Sequence, residues 1–337
     1  MSNSLIVPKG YKSKLNLLQT EQAIQEAKQS FEKNLSELLN IVKVSGPLLL
    51  PEGTGINDNL NGSERVVSFS ALDLKETRVE IVQSLAKWKR IALAKYGLNV
   101  GQGLYTHMNA IRRDEVLDNI HSIYVDQWDW EKVITKKQRN MRTLKTEVMK
   151  IFRAMKRTEE YLHNLFPILT PQLPEKITFI YSQELEDIYP TLSPKERETE
   201  VAKKYGAIFI MQIGGKLISG EKHDMRSPDY DDWLLNGDLI VWCPTLEVAL
   251  ELSSMGIRVD AKSLLTQLHA TNDLHRANLD YHQAVLNNEL PFTIGGGIGQ
   301  SRLCMFLLHK AHIGEVQSSV WNEQIINHCK EKKITLL

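Results

Sequence analysis

The sequence predicts an α+β fold in which long helices are combined with β-hairpins. Residues 20–39 place apolar side chains at three- and four-residue spacing, which is typical of an amphipathic helix. Residues 236–242 and 245–259 have strand character and predict a β-hairpin. Residues 293–309 begin as a glycine-rich strand and continue as an apolar helix. Because no internal repeat or low-complexity linker divides the chain, we expect one domain over residues 1–337.

The charge composition excludes proteins that depend on a strong overall electrostatic field. The 337 residues include 41 Lys and Arg and 41 Asp and Glu, and 42 % of the residues are hydrophobic. A chain with this balance has no general attraction to nucleic acid or to an anionic membrane. We therefore expect any polyanionic ligand to be bound by a local group of basic residues.

The cysteines and the apolar segments indicate the compartment. Cys243, Cys304 and Cys329 are widely spaced, odd in number and in no metal-binding pattern, as expected of free thiols in a reducing cytoplasm. The N-terminal apolar run has three residues, and no segment approaches eighteen apolar residues in succession. These features predict a cytoplasmic protein without a targeting or membrane segment.

The segment after the first helix is expected to form a strand and then a loop. Residues 41–51 have strand character with Pro47 near the middle, a pattern that also fits an edge strand. Residues 52–62 are polar and contain three glycines, which predicts a turn with Asp58 at its centre.

A strand at residues 78–82 is followed by a helix for which Ser84 is the expected N-cap. The helix contains three basic residues, Lys87, Lys89 and Arg90. These three residues fit a solvent-exposed helix face. Because the helix starts soon after a strand ends, one of them could equally contact a carboxylate or a phosphate.

Residues 103–131 predict two strands joined by a charged loop that begins at Arg112. The second strand, residues 121–131, alternates apolar and polar side chains and includes Gln127 and Asp129. This alternation suits a strand with a ligand on one face.

The next helical pattern, residues 135–166, is basic. Nine of the residues from 136 to 157 are Lys or Arg, which is compatible with an RNA-binding surface or with a solvated helix face. In a chain of zero net charge the solvated face is the commoner case, so we treat the helix as structural. Strands are expected at residues 177–181 and 207–213, and Ser193 followed by proline predicts a helix start between them.

Acidic residues accumulate between positions 223 and 258. Residues 223–233 hold four acids, Arg226 and two aromatic side chains, which is a density typical of a binding site. The hairpin that follows places Asp238 and Glu251 on strands. Carboxylates on the ligand face of a sheet can hold Mg²⁺ against a nucleotide, and the alternative is ion pairing with neighbouring lysines.

The glycine-rich strand is the most unusual segment. Each of Gly295, Gly296, Gly297 and Gly299 costs about 0.5–1 kcal/mol relative to alanine inside regular structure, so a flat ligand or a close backbone is expected there. The run lacks the G-x-G-x-x-G of dinucleotide-binding folds and the Gly-Lys-Ser/Thr of a P-loop.

Three segments resemble the motifs of class II aminoacyl-tRNA synthetases. Residues 18–51 resemble the motif 1 dimerisation segment, residues 103–131 resemble motif 2, and residues 293–309 resemble motif 3. The resemblance implies the catalytic domain of that class, an antiparallel β-sheet flanked by helices.

A narrower resemblance covers nearly the whole chain from about residue 20. Segments such as Ser-Leu-Ala-Lys-Trp-Lys-Arg from Ser84, Tyr-Val-Asp-Gln-Trp-Asp-Trp-Glu from Tyr124 and Ile-Gly-Gly-Gly-Ile-Gly-Gln-Ser-Arg from Ile294 resemble ammonia-dependent asparagine synthetases, the type A aspartate–ammonia ligases. The family implies a homodimer that binds L-aspartate, ATP with Mg²⁺ and ammonia. It also implies two steps, in which β-aspartyl-AMP forms with release of pyrophosphate and ammonia then displaces AMP. The connection between Asp231 and Asp238 is shorter than we expect of that family.

The resemblance implies a role for each candidate residue. Arg112 would bind the α-phosphate, Arg302 would lie on the adenine near the distal phosphates, and Asp238 and Glu251 would hold Mg²⁺. Asp58 would bind the amino group of the aspartate substrate, or bind ammonium and accept its proton. The remaining candidates complete the nucleotide site (Ser122, Gly297) and the aspartate site (Lys89, Gln127, Asp129, Asp231, Ser253, Ser254).

The positions of the cysteines indicate which molecule supplies the nitrogen. A glutamine-hydrolysing enzyme needs a cysteine nucleophile, often N-terminal, whereas residue 2 is Ser and the first cysteine is Cys243. Free ammonia, or a separate glutaminase chain, is therefore expected. Two alternatives remain: an aspartyl- or asparaginyl-tRNA synthetase core, and a non-catalytic regulatory paralogue. No nucleic-acid partner is expected.

Overall fold

The computed structural model describes residues 5–58, 60, 64–75 and 77–337. Asn59, Asn61 and Gly62 of the predicted loop at 52–62 lie outside the described residues. The helices are α1 Leu17–Leu39, α2 Ala86–Tyr96, α3 Met141–Leu165, α4 Ser182–Ile188, α5 Pro194–Tyr205, α6 Ala261–Ala270, α7 Asp280–Leu286, α8 Gln300–Leu307 and α9 Glu323–Glu331. Short 3-10 turns occupy Leu72–Leu74, Lys136–Gln138, Leu274–Asn278 and Ile313–Glu315.

The strands form one large and one small sheet. They are β1 Ile41–Lys43, β2 Leu49–Pro51, β3 Ser68–Ser70, β4 Arg78–Ile81, β5 Gly103–Ile111, β6 Tyr124–Val133, β7 Thr178–Tyr181, β8 Ala207–Met211, β9 Asp231–Cys243, β10 Val248–Arg258 and β11 Thr293–Gly299. The large sheet has the order β1-β5-β6-β11-β10-β9-β8-β7, and the small sheet has the order β2-β4-β3. The large sheet is antiparallel from β5 to β8, as predicted, and has one parallel pair at each edge, β1 with β5 and β7 with β8.

Helix α1 begins three residues before the predicted start at Thr20. Asn16 accepts a hydrogen bond from the Gln19 backbone N–H, and the Gln19 side chain accepts one from the Asn16 N–H, which closes a capping box. The helix ends at Asn40, whose left-handed backbone (φ 58°) stops the helical pattern.

Two predictions for the N-terminal third are wrong in detail. Residues 41–51 are two strands in different sheets, because β1 pairs with β5 whereas β2 pairs with β4 in the small sheet. Ser84 is not the N-cap of α2. That position is Leu85, which makes no side-chain capping bond, and the Ser84 hydroxyl only accepts a hydrogen bond of 3.2 Å from the Ala86 N–H.

The basic helix α3 is structural in its contacts. Its apolar stripe, which includes Val148, Ile151 and Met155, is buried against the large sheet and α1. Some of its basic side chains make local contacts: Lys156 pairs with Glu175 at 2.7 Å, and Lys145 lies 5.3 Å from the centre of the Phe179 ring. The other predicted helix start is confirmed, since the Ser193 side chain caps α5.

The two faces of the large sheet differ because side chains alternate along each strand. On one face Trp128 and Trp130 of β6 are fully buried in the main core with Ile294 and Ile298 of β11. On the opposite face, the residues at the centre of β6 and β11 are polar or glycine, and they include Gln127, Asp129, Glu131, Gly295 and Gly297. None of the helices in the described part of the chain combines the length and apolar character needed to span a lipid bilayer.

Candidate active site

A cavity of about 390 Å³ lies over the polar face of the large sheet. All the candidate residues from the sequence line it except Asp238. They come from the loop at Asp58, from α2, from the turn between β5 and β6, and from β6, β9, β10, β11 and α8. The structure therefore brings together groups that are separated by up to 244 positions in the sequence, Asp58 and Arg302.

The floor of the cavity explains two of the glycines. Register pairs Gly295 with Glu131 and Gly297 with Asp129 on neighbouring strands. A Cβ at Gly295 would overlap the Glu131 carboxylate and lie 2.6 Å from the Trp130 carbonyl oxygen. A Cβ at Gly297 would overlap the Gln127 amide oxygen. The bare backbone thus makes room for side chains of β6, a reason that the sequence did not indicate.

Gly295→Ala is expected to destabilise the protein by about 1–3 kcal/mol, because the added methyl group meets a fixed carbonyl and a buried carboxylate. The free energy of unfolding from urea titration measures the effect. Gly215→Ala is the matched control, since a Cβ there would meet no atom within 4 Å among the described residues. Equal stability of the two variants would contradict this account.

Buried ion pairs fix the acidic side chains of Glu131 and Asp231 in the floor of the cavity. The Arg258 guanidinium donates to both carboxylate oxygens of Glu131, at 2.9 and 2.6 Å for its closest contacts, and to Asp231. Burial raises the pKa of Asp231, and the neighbouring Arg258 and Arg226 act against that shift. Asp231 is therefore already held in place by arginine.

Asp238 lies behind Arg226 and does not line the cavity directly. Arg226 donates to both oxygens of Asp238, at 2.6 and 2.7 Å, and to the Ser254 hydroxyl at 2.7 Å. Burial raises the pKa of Asp238 to about 7, a rise that Arg226 opposes and the nearby Glu251 carboxylate reinforces. Asp238 and Glu251 are thus close enough to repel each other.

Lys89 is a buried basic residue in the floor of the cavity. Its ammonium group contacts Asp129 and donates to the Gly296 carbonyl oxygen at 3.0 Å. Burial lowers the pKa of Lys89, although Asp129 favours its charged form. The other oxygen of Asp129 has no hydrogen-bond partner among the described residues, so it can accept a bond from a ligand. Ser253, nearby on β10, donates to the Gly297 carbonyl oxygen at 2.9 Å.

Asp58 lies at one end of the cavity and is 1 % exposed. Neither oxygen of its carboxylate has a partner at ordinary hydrogen-bond geometry within the described part of the chain, although the Ser227 hydroxyl is near enough to lower its pKa. Burial raises the pKa of Asp58 to about 6, with Lys87 lowering it and Asp229 raising it further. A buried carboxylate without a donor costs free energy unless a cation or a proton satisfies it. Asp58 therefore has the properties of a cation site and of a base near neutral pH.

Two arginines contribute the basic groups of the nucleotide motifs. Arg112 follows the last residue of β5, and its Nε is buried without a partner among the described residues. Arg302 on α8 donates to the carbonyl oxygens of Ile120 and Glu251, at 3.3 and 3.1 Å, which fixes the guanidinium plane. Ser122 shares a hydrogen bond of 2.8 Å with Ser319. Fork-shaped guanidinium groups of this kind suit phosphate oxygens.

Sequence reasoning missed several groups. Arg226 stands in the dense loop 223–233 and Glu131 in the segment that begins at Tyr124, but nothing in the sequence around Arg226, Glu131 or Arg258 indicates their contacts. Nothing in the sequence indicated His282, which contacts Asp229 from α7. The shortened connection after Asp231 raised no difficulty, because β9 runs without a break from Asp231 to Cys243.

The fold and this site define the class of protein. The structure superposes on an asparaginyl-tRNA synthetase from Pyrococcus horikoshii complexed with asparaginyl-adenylate, with a TM-score of 0.64 at 15 % identity, covering 89 % of this chain and 68 % of that chain. The chain therefore has the class II aminoacyl-tRNA synthetase fold, as predicted.

Sequence comparison gives the particular family. The profile of the aspartate–ammonia ligases matches residues 18–333. An aspartate–ammonia ligase of Clostridium perfringens (strain ATCC 13124) is 59 % identical over 333 residues, 99 % of each chain. One from Ruminiclostridium cellulolyticum is 57 % identical over 335 residues, 99 % of this chain and 100 % of that one. The chain belongs to the aspartate–ammonia ligase family and is an enzyme. The predicted ligase is confirmed, and the two alternatives are not favoured.

Proposed function

We propose that the enzyme makes L-asparagine from L-aspartate and ammonia while it cleaves ATP to AMP and pyrophosphate through β-aspartyl adenylate. One observation carries the proposal. A single cavity joins two motif arginines, which suit phosphates, to a buried and unpartnered carboxylate, Asp58, which suits ammonium. A synthetase that transfers its adenylate to tRNA needs one cation site, for the amino group of its amino acid, and no second one for ammonium.

In the first step the residues hold ATP and aspartate in line for attack. Arg112 and Arg302 would neutralise the phosphate charge that develops as the aspartate side-chain carboxylate attacks the α-phosphorus. Ser122 and the backbone at Gly297 would border the nucleotide. Arg226 is a third guanidinium on the same cavity and suits a phosphate or a carboxylate.

The aspartate substrate has an ammonium group and two carboxylates. The free oxygen of Asp129, with Gln127 and Asp231, would accept bonds from the ammonium group. Lys89 would bind the carboxylate that does not react. Ser253 and Ser254 line the same wall and would contribute hydroxyl groups.

The second step needs neutral ammonia. Ammonium would bind to the ionised Asp58 and give it a proton. The ammonia lone pair would then attack the β-carbonyl carbon of the adenylate and form a C–N bond, and the bond to the AMP oxygen would break with its electron pair leaving on AMP. The extra proton on the nitrogen would pass to the departing AMP phosphate or to water, which leaves the neutral amide. With a pKa of about 6, Asp58 is ionised at neutral pH and still accepts protons at an accessible energy.

The proposal includes Mg²⁺ as the metal that accompanies ATP. Glu251 lines the cavity and would supply a hard oxygen donor of the kind that Mg²⁺ prefers, and Asp238 would supply another by exchanging its present bonds from Arg226 for the metal. Within the described residues no three or more His, Cys, Asp or Glu side chains come together to hold a metal, so phosphate oxygens and water would complete the coordination. When bound, Mg²⁺ would neutralise charge on the phosphates.

The assay is formation of AMP and asparagine from aspartate, ATP and Mg²⁺, with and without ammonium chloride and with a parallel tRNA arm. We expect asparagine only with ammonium, in a 1:1 ratio to AMP, and loss of both products when EDTA removes Mg²⁺. Asp238→Asn should raise the Mg²⁺ concentration for half-maximal rate. Transfer of the aspartyl group only to tRNA would contradict the proposal, and so would a reaction that is indifferent to ammonium.

We further propose a cytoplasmic homodimer that uses the surface around β1 and the small sheet. Large apolar side chains are exposed there, and the most exposed of them is Leu72. Several large apolar side chains exposed on neighbouring elements are typical of protein interfaces. The further members are Val42, Leu48, Leu49, Phe69 and Leu74. Sedimentation equilibrium decides the point, and a monomer at micromolar concentration would contradict it.

A further inference from the structure

A second layer of charged groups lies behind Asp58 and outside the substrate cavity. At its centre is Asp229, which is fully buried. The Lys87 ammonium lies 2.8 Å from one oxygen of Asp229, and His282 Nε2 lies 2.9 Å from the same oxygen. The Ser227 hydroxyl donates to the other oxygen at 2.8 Å. Because an ionised carboxylate only accepts hydrogen bonds, Nε2 of His282 carries the hydrogen.

The same groups hold the loop that carries Asp58. Lys87 also donates to the carbonyl oxygen of Gly55, at 2.9 Å, three residues before Asp58. Gly55 has a left-handed backbone (φ 69°) and approaches Leu279 so closely that a Cβ would lie 2.7 Å from its side chain. Leu279 directly precedes α7, the helix of His282. The loop, α2 and α7 are thus tied together at one point.

We infer that Lys87 and Asp229, held by His282, are positioning residues that fix the place and the charge environment of Asp58 for the ammonia step. The inference rests on the proposed function. Lys87 and Asp229 place one positive and one negative charge beside the Asp58 carboxylate. In the proposed reaction Asp58 must first be ionised to bind ammonium and must then hold a proton. Neither Lys87 nor His282 lines the cavity, so they act on the reaction through their neighbours.

The charges around Asp58 come from three segments. Lys87 and Arg276 favour its ionised form, whereas Asp229 favours its protonated form. Tyr230 also faces Asp58, but burial raises the pKa of its phenol, so it stays neutral and adds no charge. Despite burial, the pKa of Asp229 is held well below its usual range by the charge of Lys87 and the hydrogen bond from His282, and the pKa of Lys87 is raised by Asp229 and Asp58. Of Asp58, Asp229 and Lys87, Asp58 is therefore the one whose pKa lies near neutral pH.

The test is the pH profile of kcat/KM for ammonia at saturating aspartate and ATP. For the unaltered enzyme we expect the rate to fall on the acid side near the pKa of Asp58, about 6. Lys87→Met removes a positive charge and should move this acid limb up by about one pH unit. Asp229→Asn removes a negative charge and should move it down by a similar amount. Lys95→Met, at an exposed lysine of the same helix, is the control and should leave the limb in place.

Shifts of the acid limb in opposite directions in Lys87→Met and Asp229→Asn would distinguish an electrostatic role of these residues from a purely structural one. Loss of structure would lower the rates of adenylate formation and of the ammonia step at every pH. The inference instead predicts near-normal aspartate-dependent pyrophosphate exchange in folded variants. Lys87→Arg keeps the positive charge, so its acid limb should lie at the pH of the unaltered enzyme. If Lys87→Met fails to fold, Lys87→Arg and the near-isosteric Asp229→Asn are the variants that test the inference. Unmoved limbs, or limbs that move in the same direction, overturn the inference. An unaltered enzyme that makes no asparagine from ammonia would instead overturn the proposed function.

Discussion

Asp58→Asn is expected to lower kcat/KM for ammonia by about 10²–10⁴-fold, the range for a positioned proton-transfer group. The amide has nearly the same shape as the carboxylate, but it can neither neutralise ammonium nor accept a proton. The effect should be large here because the native carboxylate is buried and has no other partner among the described residues.

The same substitution should leave the first step nearly intact. Aspartate-dependent exchange of pyrophosphate into ATP reports adenylate formation without ammonia, and we expect it to stay within about threefold of the unaltered enzyme. Asp187→Asn, at an exposed aspartate of α4, is the matched control. Equal losses in exchange and in asparagine formation would show that Asp58 serves aspartate binding or folding and not the ammonia step.

Arg112→Lys is expected to lower the rate of adenylate formation by about 10²–10³-fold, which corresponds to the loss of one preorganised charge donor. Lysine keeps the positive charge but cannot form two parallel bonds to phosphate oxygens. The Nε of Arg112 is buried without a partner among the described residues, so part of its hydrogen-bonding capacity is available to a ligand.

Single-turnover formation of AMP-linked aspartate separates this effect from substrate binding. We expect kcat to fall more than the KM for ATP rises, because the guanidinium is proposed to act mainly on charge that develops during phosphoryl transfer. Arg113→Lys changes the adjacent exposed arginine and should have little effect. A change confined to the KM for ATP would assign Arg112 to ground-state binding alone.

The sequence by itself determined the elements that depend on local rules. Side-chain periodicity located α1 and α3, the proline after Ser193 located the start of α5, and alternation located the β9–β10 hairpin. Motif spacing also indicated the cavity residues, since alternation along β6 puts Gln127 and Asp129 on one face. These features are encoded within a few residues of each other, so they can be derived without the partner strands.

Only the tertiary structure decided which groups meet. Local pattern could not show that residues 41–51 divide between two sheets, because that depends on the pairing partners β5 and β4. Nor could it show that Asp238 is shielded by Arg226. His282 lies 53 positions from Asp229 and has no distinguishing neighbours in the sequence, yet the fold buries the two together. Burial is set by the whole packed chain, and it is burial that raises the pKa of Asp58 to about 6.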